Sequence, residues 1–310
     1  MYQFEQKDKH LLTRSEERIS FVYIDMARIE QTEYSVQIIQ GKSFTEIPIT
    51  TINCLILGPG CSITHRAISN IAQAGCTICW MGEQAGVFYT YGEPSTRHSK
   101  NILAQMKYHE DKNLHLKVVH RMYEIRYPDK KLKTKTLEQL RGVEGLAVKE
   151  LYASLSEKYH IPWTGRQYQV DDFDGQDDIN KTITSLNQLL YAIVHAVLVT
   201  MGYSPAIGYV HTGNMLSFVY DIADLYKEKL TIPLAFELTS QHPYDRKKTM
   251  RAFRDRLVEL DLMSSIVKDL KTLFSDASFY VSTPEATLEL WNGYNFVNSG
   301  KNYSENPKTP

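Results

Sequence analysis

The sequence predicts an α+β fold, in which a small β-rich N-terminal domain precedes a larger all-α domain. Short runs of β-branched and aromatic residues, separated by turn residues, fill the chain up to Gly92. After Gly92-Glu93-Pro94 the apolar residues take a helical spacing, which continues to about Phe274. We therefore expect one domain over 1–92, a second over 93–281, and a polar, flexible tail over 282–310.

The N-terminal pattern predicts several short strands and one helix. The strands are expected over Ile19–Ile24, Tyr34–Gln40, Phe44–Pro48, Asn53–Leu57, Cys76–Met81 and Val87–Tyr91. Thr64 is a typical N-cap for a short helix that runs to Ala74. In the second domain, Thr136-Leu137-Glu138-Gln139 matches a capping box and predicts the start of a long helix.

The cysteines and the apolar runs restrict the class of protein. Cys76 and Cys79 form a C-x-x-C motif, which can bind zinc or carry out redox chemistry. Residues three apart on a strand point to opposite faces, so we expect buried packing cysteines instead. The segment 1–14 lacks the apolar region of a signal peptide, and the apolar run Leu189–Met201 is too short to cross a bilayer. These features predict a soluble, cytoplasmic protein.

Basic residues are concentrated in two stretches, although the net charge is −1. Residues 97–135 hold eleven Lys or Arg against four Asp or Glu, and residues 245–256 hold six against two. Such local surfaces suit phosphate binding on an otherwise neutral chain. Each stretch is also compatible with an ordinary solvated helix face.

Glu144 lies on the apolar stripe of the helix that the capping box opens. A carboxylate on an inward face must be paired, protonated or bound to a metal. The small residues Gly142 and Gly145 beside it leave room for a bulky group to approach. The alternative is an ion pair with Arg141, one turn earlier on the same helix.

His211 lies between Gly208 and Gly213 in a loop that directly precedes another predicted helix. On that helix, Asp221 and Asp224 flank an apolar stripe, and like charges three residues apart repel unless a cation lies near them. The alternatives are a surface histidine and two exposed acids favoured by the helix dipole.

Together these residues offer two or three carboxylates and one imidazole. Oxygen-rich ligation with a single nitrogen suits Mg²⁺ or Mn²⁺ better than a structural zinc. Such an ion serves phosphoryl transfer. The candidates for holding a DNA backbone and stacking on bases are Arg141, Arg166, Tyr168, Tyr191 and Tyr220. The spacing alone predicts a possible metallonuclease.

Three longer strings resemble the CRISPR-associated integrase and endonuclease family Cas1, and most closely its type I-E, Cascade-linked subfamily. These strings are QLRGVEG (139–145), AIGYVHTG (206–213) and LSFVYDIADL (216–225). Shorter matches are Gly58-Pro59-Gly60, Ile63-Thr64-His65 and WTGRQY (163–168). The resemblance covers about 18–260.

The resemblance implies a homodimer whose β-rich domain serves dimerisation and DNA contacts and whose α-helical domain is catalytic. Two such dimers would flank a dimer of the small partner Cas2 in a heterohexamer. The complex would insert captured DNA as new spacers into the CRISPR repeat array by attack of a 3′-hydroxyl on a phosphodiester, and it would also cleave branched DNA. The implied metal ligands are Glu144, His211 and Asp224, with Asp221 as a supporting acid. The five DNA-contact candidates would lie near the metal.

The N-terminal region departs from the subfamily pattern. Met26, with Tyr23 nearby, stands where an aromatic residue stacks on the end of the captured duplex, and Ser62 and Val87 stand where basic residues are common. The N-terminal DNA contacts therefore stay open. Two alternatives to the integrase remain: a branched-DNA repair endonuclease that acts without a partner, and a non-catalytic DNA-binding scaffold whose acids are structural.

Overall fold

The computed structural model describes residues 19–32, 35–81, 88–92, 99–130, 132, 136–167, 173, 175–276, 289–291 and 296–298. The chain divides into two units, Met1–Ser275 and Asp276–Pro310. In the first unit a strand-rich N-terminal region precedes a mostly helical one, which confirms the predicted α+β class. The domain limits at 92 and 281 stay a prediction.

The strands agree with the predicted ones to within two residues at each end. They are β1 (Ile19–Ile24), β2 (Arg28–Gln31), β3 (Val36–Gln40), β4 (Ser43–Ile47), β5 (Ile52–Leu57), β6 (Ser62–Ile63), β7 (Thr77–Met81) and β8 (Phe88–Gly92). The pattern missed β2 and β6. In the second unit, β9 (Glu289–Trp291) pairs with β10 (Phe296–Asn298) in antiparallel fashion.

The first eight strands form two sheets. One sheet has the order β1-β5-β7-β8, with β8 antiparallel to β7 and the other pairs parallel. The second sheet has the order β4-β3-β2-β6. Leu55 and Leu57 of β5 join the apolar core of the N-terminal region, whereas the buried Cys54 and Ile56 point to the opposite face.

The cysteines behave as the strand pattern predicts. Cys76 lies in the N-terminal core, while the Cys79 thiol lies on the other face, 3.5 Å from the Cys54 thiol. All four cysteines are free. Cys61 differs from the prediction because it is only half-buried, and its thiol donates to the Ile24 carbonyl.

A central helix joins the sheet to the helical region. The helices are α1 (His65–Gln73), α2 (Lys100–Glu110), α3 (Lys112–Arg126), α4 (Leu137–Tyr159), α5 (Asp178–Thr200), α6 (Ser217–Lys227), α7 (Thr231–Gln241), α8 (Arg246–Glu259) and α9 (Leu262–Leu273). α5 contacts β5, β7 and α6 to α9. It is long and apolar enough to cross a membrane, but its apolar window is 83% buried inside the protein, which identifies it as a core helix.

Candidate metal centre and nucleic-acid site

Two acids of α6 meet different environments. Phe218, Ile222 and Leu225 are buried, so the predicted apolar stripe faces the core. The Asp221 side chain is fully buried, with 0% exposure, whereas that of Asp224 keeps 18%. The alternative of two exposed acids is therefore wrong, most clearly for Asp221.

Asp221 organises the loop that carries His211. Its Oδ2 accepts the backbone N–H groups of Tyr209 (2.5 Å) and Val210 (3.1 Å). Its Oδ1 accepts the backbone N–H of His211 (2.8 Å) and pairs with Nδ1 of the same residue (2.8 Å). Four donors satisfy the buried carboxylate, and in return the carboxylate fixes both the loop and the imidazole ring.

The ring of His211 presents one free nitrogen to Asp224. Because a neutral imidazole that donates from Nδ1 keeps a lone pair on Nε2, the bond to Asp221 assigns Nε2 as the acceptor. Nε2 lies 3.9 Å from Asp224 Oδ2. This distance is too long for a hydrogen bond, but one ion with ligand bonds of about 2.1 Å reaches both atoms. The hydrogen bond that the His211 ring donates to Asp221 raises the pKa of His211 against the opposing effect of burial.

The backbone geometry near His211 accounts for the glycines at positions 208 and 213. A Cβ at Gly208 would lie 2.2 Å from the carbonyl oxygen of His211, so the folded-back loop excludes any other residue there. Gly213 has a φ of 85°, which favours glycine. The loop conformation therefore depends on both positions.

α2 and α3 hold the other side of this loop through its carbonyl groups. The buried side chain of Gln105 donates to the carbonyls of Ser204 (3.0 Å) and Ile207 (2.9 Å) and accepts the Ser204 N–H (2.8 Å). The rings of His109 and His115 pair with the next two carbonyls along the chain. The loop is thus fixed from two sides before any ligand binds.

Glu144 lies on α4, whose capping box at Thr136 is confirmed. Its Oε2 accepts from the Tyr123 hydroxyl and its Oε1 from Arg126 Nη1, both at 2.7 Å. The alternative ion pair with Arg141 is wrong, because the partner is an arginine from α3 and Arg141 is exposed. A Cβ at Gly142 or Gly145 would meet nothing within 4 Å, so the space beside them is open.

Arg126 joins Glu144 to a second acid. Its Nη2 forms a short ion pair with Glu228, which also accepts from the Tyr127 hydroxyl at 2.7 Å. The Arg126 side chain is only 9% exposed. Burial alone would lower the pKa of the guanidinium, but Glu144 and Glu228 raise that pKa above the ordinary value. The guanidinium therefore stays charged.

His211 and Asp224 line the same narrow pocket as the two side chains that bind Glu144. Its lining consists of Met122, Tyr123, Arg126, Val210, His211, Asp221, Asp224 and Leu225. Both partners of Glu144 therefore share a wall with His211 and Asp224. Within the described part of the chain, no three His, Cys, Asp or Glu side chains are close enough together to hold a metal ion. The types of donor still fit Mg²⁺ or Mn²⁺. They are Nε2 of His211, the Asp224 carboxylate and the carboxylate of Glu144, which is hydrogen-bonded to two side chains of the pocket wall.

Three predicted DNA-contact residues lie together beside His211. Arg166, Tyr191 and Tyr220 line a polar cavity of about 360 Å³ with His211 and Lys227. The Tyr191 and Tyr220 rings meet edge-on, 5.1 Å apart. This cavity offers aromatic faces and cations next to the candidate metal ligands.

Lys227 was missed by the sequence reasoning, as were Arg126 and Glu228. Its Nζ lies 2.6 Å from Asp224 Oδ1 and 4.9 Å above the Tyr191 ring. Burial would lower the pKa of Lys227, but Asp224 and Tyr191 raise it. The i,i+3 spacing from Asp224 was a usable signal for Lys227. The contacts of Arg126 join three helices, and no local pattern indicates them.

Met26 and Ser62, two of the N-terminal candidates, are far more exposed. Met26 is 72% exposed with a φ of 48°, and Ser62 is exposed on β6. Tyr23 contacts Arg246 at the start of α8, and burial is the main cause that raises its pKa to about 12. Tyr168 and Val87 lie outside the described residues.

Comparisons with known proteins bear on this site. The family described as CRISPR associated protein Cas1 matches residues 21–127 and 117–252. A CRISPR-associated endonuclease Cas1 2 of Chlorobaculum tepidum is 38% identical over 268 residues, which is 86% of this chain and 90% of the relative. The chain belongs to the Cas1 family.

Further relatives agree with this membership. The Cas1 endonuclease of Escherichia coli K12 is 36% identical over 241 residues, 77% of this chain and 79% of the relative. The solved TtCas1–DNA complex superposes with a TM-score of 0.80 at 34% identity, over 91% of this chain and 100% of that one. The family is one of endonucleases and integrases, and each of the three long motif strings lies inside the matched residues.

Proposed function

We propose that this Cas1 protein is a metal-dependent DNA integrase of CRISPR adaptation, of the type I-E subfamily. It inserts captured DNA fragments as new spacers into the repeat array. The observation that supports this best is the shared pocket of His211 and Asp224, walled by the two side chains that hold Glu144. The same site also cleaves branched DNA, since integration in reverse is strand cleavage.

Glu144, His211 and Asp224 would hold Mg²⁺ or Mn²⁺. Bound there, such an ion would supply polarisation of the phosphodiester and stabilisation of the departing oxygen. Asp221 keeps the Nε2 of His211 directed at Asp224. Lys227 pairs with Oδ1 of Asp224 and leaves the other oxygen, Oδ2, facing His211.

The remaining side chains grip DNA. Arg166 is held toward the cavity by Asn180 (2.8 Å) and Thr184 (3.1 Å), and it would contact phosphates. Tyr191 and Tyr220 offer faces for unpaired bases. We assign Arg141 and Tyr168 to the same surface.

The reaction conserves phosphodiester bonds. The 3′-hydroxyl of the captured strand loses its proton and attacks a phosphorus of the repeat, forming one P–O bond. The bond from that phosphorus to the 3′-oxygen of the repeat strand breaks, and the leaving oxygen takes up a proton. No nucleotide cofactor is consumed.

We also assign the partners that the family pattern implies. The chain would form a homodimer, and two dimers would bind a dimer of Cas2 in a heterohexamer that holds double-stranded DNA in the cytoplasm. The TtCas1–DNA complex, with a relative of 34% identity, supports the DNA partner. No membrane is involved.

The test is a joining assay with the Cas2 partner, a duplex with free 3′-hydroxyls and a supercoiled plasmid that carries the repeat. Glu144→Ala and His211→Ala should abolish joining and leave DNA binding intact, because they remove metal ligands and no DNA-binding charge. Losses of about 10³-fold or more are expected for such ligands.

Matched controls use residues outside the pocket. Glu150→Ala removes an exposed acid of α4, and His242→Ala removes a ring that bonds the adjacent Pro243 carbonyl. Both controls should join DNA like the wild type. If the Glu144 and His211 variants joined DNA as well as the wild type, the catalytic assignment would be wrong and these side chains would be structural. Cleavage of branched DNA without any joining would favour a repair endonuclease.

A further inference from the structure

Arg126 is a buried cation between two acids at the wall of the candidate metal pocket. Nη1 bonds Glu144 at 2.7 Å, and Nη2 bonds Glu228. We propose that Arg126 is a positioning residue that holds Glu144 away from the metal position in the metal-free protein and releases it when a divalent ion enters. Glu228 then keeps the arginine neutralised. This inference rests on the proposed metal site.

The contacts of Glu144 explain why an exchange is needed. Arg126 and Tyr123 each occupy one oxygen of the carboxylate. Among the described residues, Glu144 is not grouped with His211 and Asp224 closely enough for a shared ion. A guanidinium and a divalent ion therefore compete for the same carboxylate.

Asp224 shows the contrasting arrangement. Its cation, Lys227, bonds Oδ1 at 2.6 Å and leaves Oδ2 facing His211 Nε2. This ligand already presents an oxygen to the metal position and needs no exchange. Of the two acids, Glu144 alone must change partners.

Glu228 makes the exchange possible. A buried guanidinium that loses its only counter-charge is strongly destabilised. Glu228 uses a different N–H group of Arg126 from the one that Glu144 uses, and the Tyr127 hydroxyl holds Glu228 in place. The Tyr127 ring also lies 5.3 Å from the guanidinium. Arg126 thus stays paired after Glu144 leaves.

The test measures Mn²⁺ affinity of the DNA-free protein at fixed pH, from the electron paramagnetic resonance signal of unbound Mn²⁺. Arg126→Gln removes the competing cation and should therefore bind Mn²⁺ more tightly. The expected size is about tenfold, the lower end of the changes in affinity that substitutions beside metal ligands produce. Glu228→Gln leaves Glu144 as the sole counter-charge of Arg126, so affinity should fall by about the same factor.

Two further variants refine the test. The double variant Arg126→Gln/Glu228→Gln should bind like Arg126→Gln alone, because Glu228 acts through the arginine. Arg121→Gln removes a cation of the same helix that bonds the Leu273 carbonyl, and it should leave the affinity unchanged. Circular dichroism confirms that each variant is folded, and Arg126→Met, which also lacks the cation, replaces Arg126→Gln if the latter does not fold.

The outcomes separate this inference from the proposed function. If Glu144→Ala does not weaken Mn²⁺ binding, the metal site itself is wrong. If Glu144→Ala weakens it, but the Arg126 and Glu228 variants fail to shift affinity in opposite directions, the exchange alone is overturned. Opposite shifts that vanish in the Glu144→Ala background support both.

Discussion

At the residue scale, Asp221 and Asp224 illustrate how burial separates two acids that the sequence treats alike. Both lie on one flank of α6, yet the carboxylate of Asp221 accepts hydrogen bonds from backbone N–H groups and from the His211 ring. Asp224 is paired with one lysine and keeps an oxygen toward His211. The first acid therefore orients a candidate ligand, and the second is itself a candidate ligand.

A titration of His211 tests this division. In the metal-free protein, its pKa should lie above the ordinary 6.5, because the hydrogen bond to Asp221 stabilises the charged ring. Asp221→Asn should lower it, since an amide oxygen stabilises a cation less than a carboxylate. The ring-proton NMR signal, assigned by its loss in His211→Ala, reports both values.

The sign of the pH effect follows from the raised pKa. The folded state favours the charged ring, so this contribution to stability is full below pH of about 6.5 and is lost as pH rises through the folded-state pKa. Metal binding needs the neutral ring and should strengthen over the same window. A ring that titrates below 6.5 in the wild type, or is unmoved by Asp221→Asn, would contradict the assignment.

The candidate ligands could be named from sequence because each has a local signal. The capping box at Thr136 marks the start of α4, and Glu144 lies one turn after the buried Leu140 of that helix. Asp221 and Asp224 flank an apolar stripe that proves to be buried. The partner of Glu144 could not be named, since Arg126 comes from another helix and nothing in the spacing connects the two.

At the element scale, the loop before α6 is held by helices on both sides. Asp221 of α6 takes its N–H groups, and Gln105 of α2 takes two of its carbonyls and one N–H. Backbone groups that are shielded from water need such partners, so these contacts hold the His211 loop in place in the metal-free protein.

Substituting Gln105 tests this support. Gln105→Met keeps the length of the side chain but leaves the N–H and carbonyl of Ser204 and the carbonyl of Ile207 unpaired. Each stranded group costs about 1–3 kcal/mol of unfolding free energy. Thermal denaturation should show the loss, and Mn²⁺ affinity should fall because the His211 loop is less ordered.

The control lies on the same helix. Leu103→Ala removes an apolar side chain of α2 that is 43% exposed and should leave Mn²⁺ affinity unchanged. Wild-type stability in Gln105→Met would show that water replaces the glutamine and that α2 does not position the loop.

The pattern located most elements because their periodicity or caps are strong. It missed β2 (RIEQ) and β6 (SI), which are short and mostly polar, since these strands depend on pairing with neighbours. The apolar run Leu189–Met201 is only the C-terminal part of α5, which begins at Asp178. The Asp177 cap and buried polar residues such as Asn180 and Thr184 extend that helix beyond its apolar part.

Across the molecule, some basic residues of the two stretches are already in ion pairs and are not available to bind phosphate. Within the two basic stretches, Arg126 pairs with Glu144 and Glu228, and Arg246 pairs with Asp25. Arg126 joins helices to each other, and Arg246 joins α8 to the residue that follows β1. Phosphate-binding charge would therefore come from other members of the stretches.

The salt dependence of DNA binding separates the two kinds of basic residue. Lys247, Lys248 and Arg251 are exposed on α8, whereas Arg256 is half-buried and paired with Glu237 (2.9 Å). The logarithm of affinity should fall linearly with the logarithm of salt concentration. Each phosphate contact contributes a slope of about −0.9 on duplex DNA, because neutralised phosphates release counterions.

Removing exposed charges should make the dependence of DNA affinity on salt concentration less steep. The triple variant Lys247→Ala/Lys248→Ala/Arg251→Ala should lose about 0.9 of slope for every phosphate that these residues neutralise. Arg256→Ala should keep the wild-type slope, because the guanidinium of Arg256 already pairs with Glu237. Fluorescence anisotropy with a labelled duplex across a series of salt concentrations measures both. Equal slopes in the triple variant and the wild type would exclude this face of α8 as a phosphate-binding surface.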